Sequence, residues 1–183
     1  MVSAQGEKGR PKVYIFHLKE CDPAKCTAQK LGKLGLARIT HRLQSIPPRS
    51  LLLYPSTETL VSPADRHIIV QWGISAIDCS WNRLRRLSGT ERYAVRQLPF
   101  LLAGNPVNYA MPRKLSTVEA ISAALIIAGF GDFAGELLSK FKWGPTFLSL
   151  NREPLSSYSI AVSPDEVRRI SQEYGDQYSP QAH

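Results

Sequence analysis

The apolar residues of this 183-residue chain follow two patterns that change near residue 116, and that change constrains the fold more than any other feature. Before it stand short runs rich in branched and aromatic residues: Val13 to Leu18 (VYIFHL), Leu51 to Tyr54 (LLLY), Ile74 to Ile77 and Tyr93 to Leu98. Runs of that length between polar or proline-containing segments read as buried strands. After it the pattern is helical. Ser116-Thr-Val-Glu119 is a capping box, in which serine and glutamate satisfy free N–H groups, and AISAALIIA behind it suits a buried helix. Asp132 to Phe141 predicts a second helix, and Pro145 opens a third that Pro154 interrupts or terminates. Ser163 to Glu166 is another capping box, opening a terminal helix to about Tyr174.

Between the strands the sequence predicts a helix from Thr27 to Leu34 closed by Gly35 and a short helix from Arg38 to Ser45 ended by Pro47 and Pro48. A further helix start lies at Ser62-Pro63-Ala64-Asp65 with turns to Trp72, and another helix spans Asn82 to Leu87. LLAGNPVNYAMPRK, with its glycine, prolines and asparagines, reads as an ordered loop. The expected organisation is a basic tail over 1–11, an α/β part over 12–115, a helical part over 116–176 completing the same catalytic unit, and a tail over 177–183.

An apolar content of 43% is enough for a core, and no run approaches the roughly eighteen apolar residues of a membrane span. The polar N-terminus carries no signal-peptide segment, so a cytoplasmic protein is expected. Three cysteines are an odd number for a disulfide framework. Cys21 and Cys26 have no second pair, and the histidines at 17, 41, 67 and 183 are scattered, so no metal site is expected and His17 and His67 read as packed or solvated side chains. The net charge of +8 favours a polyanionic partner. Positive charge gathers at Lys25, Lys30 and Lys33 and again at Arg83, Arg85, Arg86, Arg92 and Arg96, although two solvated helix faces would look the same.

Three polar segments follow strand ends: CDPAKCT, DCSW and LLAGNPVNY. Ligands of open α/β sheets bind outside the carboxyl ends of the strands, so the three together predict a small-molecule pocket. Asp78 could accept hydrogen bonds or a proton there, or cap the next helix. Trp81 offers an apolar face to a ligand or to the core, and Asn-Pro-Val-Asn could meet a purine or form a plain turn. No phosphate-cradling GxxxxGK[ST] is present, Gly129-Phe130-Gly131 links two helices instead of following a strand, and Cys79 has neither a visible histidine partner nor a GxSxG context.

Four blocks, HLKECDPAKCTAQKL, SPADR with AIDCSW, RQLPFLLAGNPVNYAMPRKLSTVEA and KFKWGPTFLSLN, resemble the ribosome-biogenesis aminocarboxypropyltransferase family in the same order, covering most of residues 12 to 160. The length and basic composition are those of an archaeal member. The resemblance implies a SPOUT-like fold with a deep trefoil knot, S-adenosylmethionine as cofactor, and transfer of its aminocarboxypropyl group to N3 of an N1-methylpseudouridine in small-subunit rRNA, releasing methylthioadenosine. It places the cofactor methyl against Trp81 and Leu84, where an aromatic face also attracts a sulfonium. Leu53, Pro55, Ile77, Leu101 and Asn105 would surround the remainder, and the Thr27 N–H would meet the carboxylate. Asp78 is the catalytic candidate, as proton acceptor or cofactor anchor. Lys25, Lys30, Arg83, Arg85, Arg86, Arg92 and Arg96 would hold RNA phosphates. A SPOUT methyltransferase would expose the methyl instead, and a noncatalytic rRNA-binding assembly factor would keep the pocket as a relic. A monomer is expected.

Overall fold

A computed structural model describes residues 10–18, 26–78 and 89–178. Five strands, β1 (Val13–His17), β2 (Arg38–Thr40), β3 (Leu51–Leu53), β4 (Ile74–Asp78) and β5 (Ala94–Arg96), form one sheet in the order β2-β1-β4-β3-β5. Every pairing is parallel. Parallel sheets are covered on both faces, and the period-two alternation of strand side chains builds both coverings here. Val13, Ile15, Leu51, Leu53, Ile74 and Ala76 point into the larger core shared with the helices, whereas Tyr14, Phe16 and Leu52 join Leu43, Ile46 and Tyr93 in a smaller one.

Seven α-helices are described: α1 (Thr27–Lys33), α2 (Arg66–Trp72), α3 (Thr117–Ile127), α4 (Gly131–Ser139), α5 (Gly144–Leu150), α6 (Arg152–Ile160) and α7 (Pro164–Tyr178). Helix α3 is the hub. It packs on β4, α1, α4 and α6, and Val118, Ile121, Ala124 and Leu125 are wholly buried. A helix apolar on all sides needs neighbours on all sides, and the C-terminal helices supply them. Among the described residues no helix is long and apolar enough to cross a membrane.

The strand predictions at β1, β3, β4 and β5 hold to within a few residues, and Gly35, at φ +68°, closes α1. Residues 38–45 are not a helix. Arg38 to Thr40 pair with Tyr14 to Phe16 as β2, and a 3-10 turn follows at Leu43–Ser45. Pairing with a buried neighbour outweighs the weak helical preference of such a short segment. Pro154 also does not end its helix. The break falls at Asn151, whose buried amide accepts from Leu102 N and donates to the Leu102 and Phe147 carbonyls, all within 2.8–2.9 Å. Pro154 then sits in the first turn of α6, where a missing N–H costs nothing. The terminal helix runs on to Tyr178. The predicted helix from Asn82 to Leu87 lies outside the described residues.

The loop from Leu101 to Arg113 doubles back on itself. Ala103 N donates to Met111 O at 3.1 Å, Ala110 N to Ala103 O at 2.7 Å and Arg113 N to Leu101 O at 2.9 Å. Its first arm presses against α5 so closely that a Cβ on Gly104 would stand 2.5 Å from the Phe147 backbone. Only glycine allows that approach.

Candidate active site

The carboxyl ends of β1, β3 and β4 meet the doubled loop and the start of α3. Parallel register sets His17 beside Asp78 across β1 and β4. His17 Nε2 lies 3.3 Å from Asp78 Oδ2 and 3.3 Å from Cys26 Sγ, and Cys26 Sγ donates to the same carboxylate oxygen at 3.4 Å. Thr117 Oγ1 donates to Asp78 Oδ1 at 2.9 Å. The Asp78 carboxylate is thus held at both oxygens and remains one-fifth exposed, which fixes its direction while leaving it reachable. His17, read from the sequence as packed or solvated, is buried and belongs to this cluster.

Two hollows open on either side of Asp78, Ser116 and Thr117, which line both. The first, about 430 Å³, lies over the strand ends and is bounded by Leu53, Tyr54, Pro55, Ala76, Ile77, Gln97, Leu98, Pro99, Leu101, Arg113, Leu115 and Ala120. The second, about 830 Å³, lies toward α1 and α5 and is bounded by Cys26, Thr27, Gln29, Lys30, Lys33, residues 105–108, Phe141 and Trp143. The doubled loop serves both, its base (Leu101, Arg113) facing the first and its tip (Asn105 to Asn108) the second.

Glu119 holds that loop. Fully buried in the first turn of α3, it accepts from Gly104 N at 2.7 Å, Asn105 N at 3.0 Å and Asn105 Nδ2 at 2.8 Å, and from Ser116 N and Oγ at 2.6 and 2.7 Å. A buried carboxylate is costly unless hydrogen-bonded, and five donors meet that requirement. The capping box read from the sequence therefore also organises the site.

Of the expected cofactor contacts, Leu53, Pro55, Ile77, Asp78 and Leu101 come together around the first hollow. Thr27 and Asn105 line the second, and Asn105 turns its side chain to Glu119 and the Lys114 carbonyl. Trp81 and Leu84 lie outside the described residues. So do Lys25, Arg83, Arg85 and Arg86 of the expected RNA-binding set. Lys30 and Arg92 are exposed. Arg96 instead pairs with buried Asp65, Nε to Oδ1 at 2.9 Å, tying β5 to the turn before α2. Tyr54, Gln97, Arg113 and Thr117 were not singled out from the sequence. The first two follow strand ends, where the rule that found Asp78 applies equally, but Arg113 and Thr117 arrive through the loop and α3 and carry no local signal.

His17, Cys26 and Asp78 present one nitrogen, one sulfur and one oxygen within 4.8 Å of one another, three of the four donors that zinc takes. The same atoms are engaged in the hydrogen bonds above, so the cluster is satisfied as it stands.

Residues 51–175 match the family model described as "Ribosome biogenesis protein, C-terminal". A second model, "Possible Fer4-like domain in RNase L inhibitor", matches residues 11–45. That span holds two cysteines, short of the four thiolates of an iron–sulfur cluster, so the residues present do not fit such a group. A 16S rRNA aminocarboxypropyltransferase from Methanothermobacter thermautotrophicus is 45% identical over 165 residues, 89% of this chain and 98% of the relative. One from Methanopyrus kandleri is 44% identical over 162 residues, 87% of this chain and 96% of the relative. A solved structure, that of the SAM-dependent rRNA:acp-transferase Tsr3 from Vulcanisaeta distributa, superposes with a TM-score of 0.78 at 34% identity, covering 91% of this chain and 98% of that one.

Proposed function

Because the chain belongs to the family of 16S rRNA aminocarboxypropyltransferases, we propose that it transfers the 3-amino-3-carboxypropyl group of S-adenosylmethionine to N3 of a pseudouridine, N1-methylated in the substrate, in small-subunit rRNA. The observation that carries this reading is the junction at Asp78. A hollow walled by strand ends meets a second, larger hollow there, so a donor on one side can face an acceptor on the other. Holding two reactants in register is worth several orders of magnitude in rate without further chemistry.

S-adenosylmethionine enters as the second substrate and supplies a sulfonium with three electrophilic carbons. Leu53, Pro55, Ile77 and Leu101 suit its adenosine, and Trp81 with Leu84 would cover the methyl. The amino-acid end reaches past Asp78 toward Thr27. N3 of the uracil ring then bonds to the aminocarboxypropyl carbon as the carbon–sulfur bond breaks. The bonding pair stays on sulfur, methylthioadenosine leaves uncharged, and the imide proton passes to Asp78 or to water. The reaction as written calls for no metal.

The reading also takes residues 12–115 and 116–176 as one catalytic unit of SPOUT-like fold, with the trefoil knot that the resemblance implies, acting as a cytoplasmic monomer. The parallel sheet with its site at the strand ends supports that fold. Incubation with carboxyl-labelled S-adenosylmethionine and small-subunit rRNA tests the activity. Label entering RNA with release of methylthioadenosine is expected, whereas unlabelled RNA and S-adenosylhomocysteine would make the protein a methyltransferase.

A further inference from the structure

The second hollow is larger than the amino-acid end of a cofactor needs, and its far wall is built differently from the rest of the site. There Trp143 lies partly exposed against buried Phe141, ring centroids 5.3 Å apart. Lys30 and Lys33 flank this wall from the last turn of α1; Lys30 Nζ donates to the Lys140 carbonyl at 2.6 Å and lies 4.7 Å from the Phe141 centroid, which holds it against the aromatic pair with further N–H donors to spare. The opposite wall is the tip of the doubled loop, where Val107 is 73% exposed and Asn108 lines the hollow. An aromatic face, ammonium groups and a side-chain amide lining one hollow form the combination that holds an unstacked nucleobase. The ring supplies stacking, the lysines meet phosphates, and the amide can meet a base edge.

We propose that this second hollow receives the target pyrimidine nucleotide of the rRNA, turned out of its helix, with the base stacked on Trp143 and the adjoining phosphates on Lys30 and Lys33. The proposal rests on the function above and adds the location of the acceptor. Asp78 and Thr117 line the hollow's inner end, so a base seated there directs one ring edge at the junction with the cofactor hollow. A nucleobase inside a duplex cannot reach such a recess, and chemistry on it requires extrusion. Trp143 is distant in sequence from the arginine-rich segment on which the sequence places RNA binding. The two surfaces divide the work, one gripping backbone and the other holding the reacting base.

The test measures two affinities on the full chain. One is for a small-subunit rRNA hairpin carrying a single N1-methylpseudouridine, followed by fluorescence anisotropy, and the other is for S-adenosylmethionine, followed by calorimetry. Trp143→Ala is expected to weaken hairpin binding about tenfold, the scale of one lost base stack, and to leave cofactor affinity within about twofold. Trp143→Phe should restore most of the loss. Lys33→Glu, on an exposed helix face where folding is not at risk, should weaken hairpin binding and leave the cofactor untouched. Unchanged hairpin binding in both Trp143→Ala and Lys33→Glu overturns the proposal. So does a loss of cofactor affinity that matches the loss of hairpin affinity, which would assign the whole hollow to the cofactor. If the wild-type protein methylates the hairpin or leaves it unmodified, the function reading falls, while the affinities still decide where the nucleotide sits.

Discussion

The two hollows that meet at Asp78 differ in the material of their walls. The strand-side hollow is built at the ends of parallel strands, where Leu53 and Leu101, buried in the same core that stabilises the domain, stand beside Gln97 and Arg113. The helix-side hollow is rimmed by lysines, a partly exposed tryptophan and a loop tip with exposed Val107. The first is rigid because folding makes it so, and it suits a ligand bound by shape. The second carries exposed lysines at its rim, and it suits a flexible polyanion whose affinity comes from charge and stacking. A residue buried in the fold therefore affects both hollows, whereas a rim residue can affect one alone.

The strongest way to erase this difference is to remove Glu119. Glu119→Ala leaves Gly104 N, Asn105 N and Ser116 N without their acceptor, and it should lower stability by about 3–5 kcal/mol, the scale of a broken buried charge network, in denaturant unfolding. Both hollows should lose their ligands together. Equal unfolding midpoints for wild type and variant would show that the loop is held by something else.

Asp78→Asn acts at the boundary itself. If the carboxylate takes the imide proton, turnover should fall about a hundredfold with cofactor affinity largely kept. If it anchors the cofactor, affinity should fall and turnover at saturation should survive. The contacts of Asp78 with His17, Cys26 and Thr117 favour a positioned group over a passive helix cap, and wild-type values for both quantities would restore the cap.

Salt sharpens the contrast further. Raising monovalent salt from about 50 to about 200 mM should weaken RNA binding roughly tenfold or more by counterion competition at the phosphates. S-adenosylmethionine affinity should change by less than about twofold over the same range, since apolar contact dominates the strand-side walls. Equal salt slopes for the two ligands would remove the distinction.

The smallest effect concerns the helical support beneath both hollows. Tyr158 is fully buried and donates to Phe100 O at 3.0 Å, and burial pushes its phenol far above the usual 10.0. A raised acid stays neutral in the folded chain after it ionises in the unfolded one, so its contribution is complete below about pH 10 and is lost as alkalinity rises above that value. Tyr158→Phe should cost about 1 kcal/mol at neutral pH, the value of one hydrogen bond, and flatten the loss of stability above about pH 10. A pH profile identical to wild type would contradict the assignment.

Much of this architecture was legible before folding. The branched and aromatic residues of VYIFH and the short apolar LLL and ISAI runs specify strands because such side chains pack on a pleated, buried surface, and Ser116 with Glu119 specifies a helix start because the pair satisfies its own N–H groups. The family resemblance and Asp78 at a strand end were equally present in the chain. Local pattern misread residues 38–45 because β2 exists only through pairing with β1, an energy that a seven- or eight-residue window does not contain. Tertiary structure alone decided that His17 stands beside Asp78, since that contact depends on the register of β1 against β4. It also decided that Glu119 clamps a loop fourteen and fifteen residues away, and that one set of expected cofactor contacts is divided between two hollows. The sequence determined which segments could be buried and which ends would be polar. Which polar ends meet followed from strand order and packing, where contacts between distant residues are fixed only once the whole core closes.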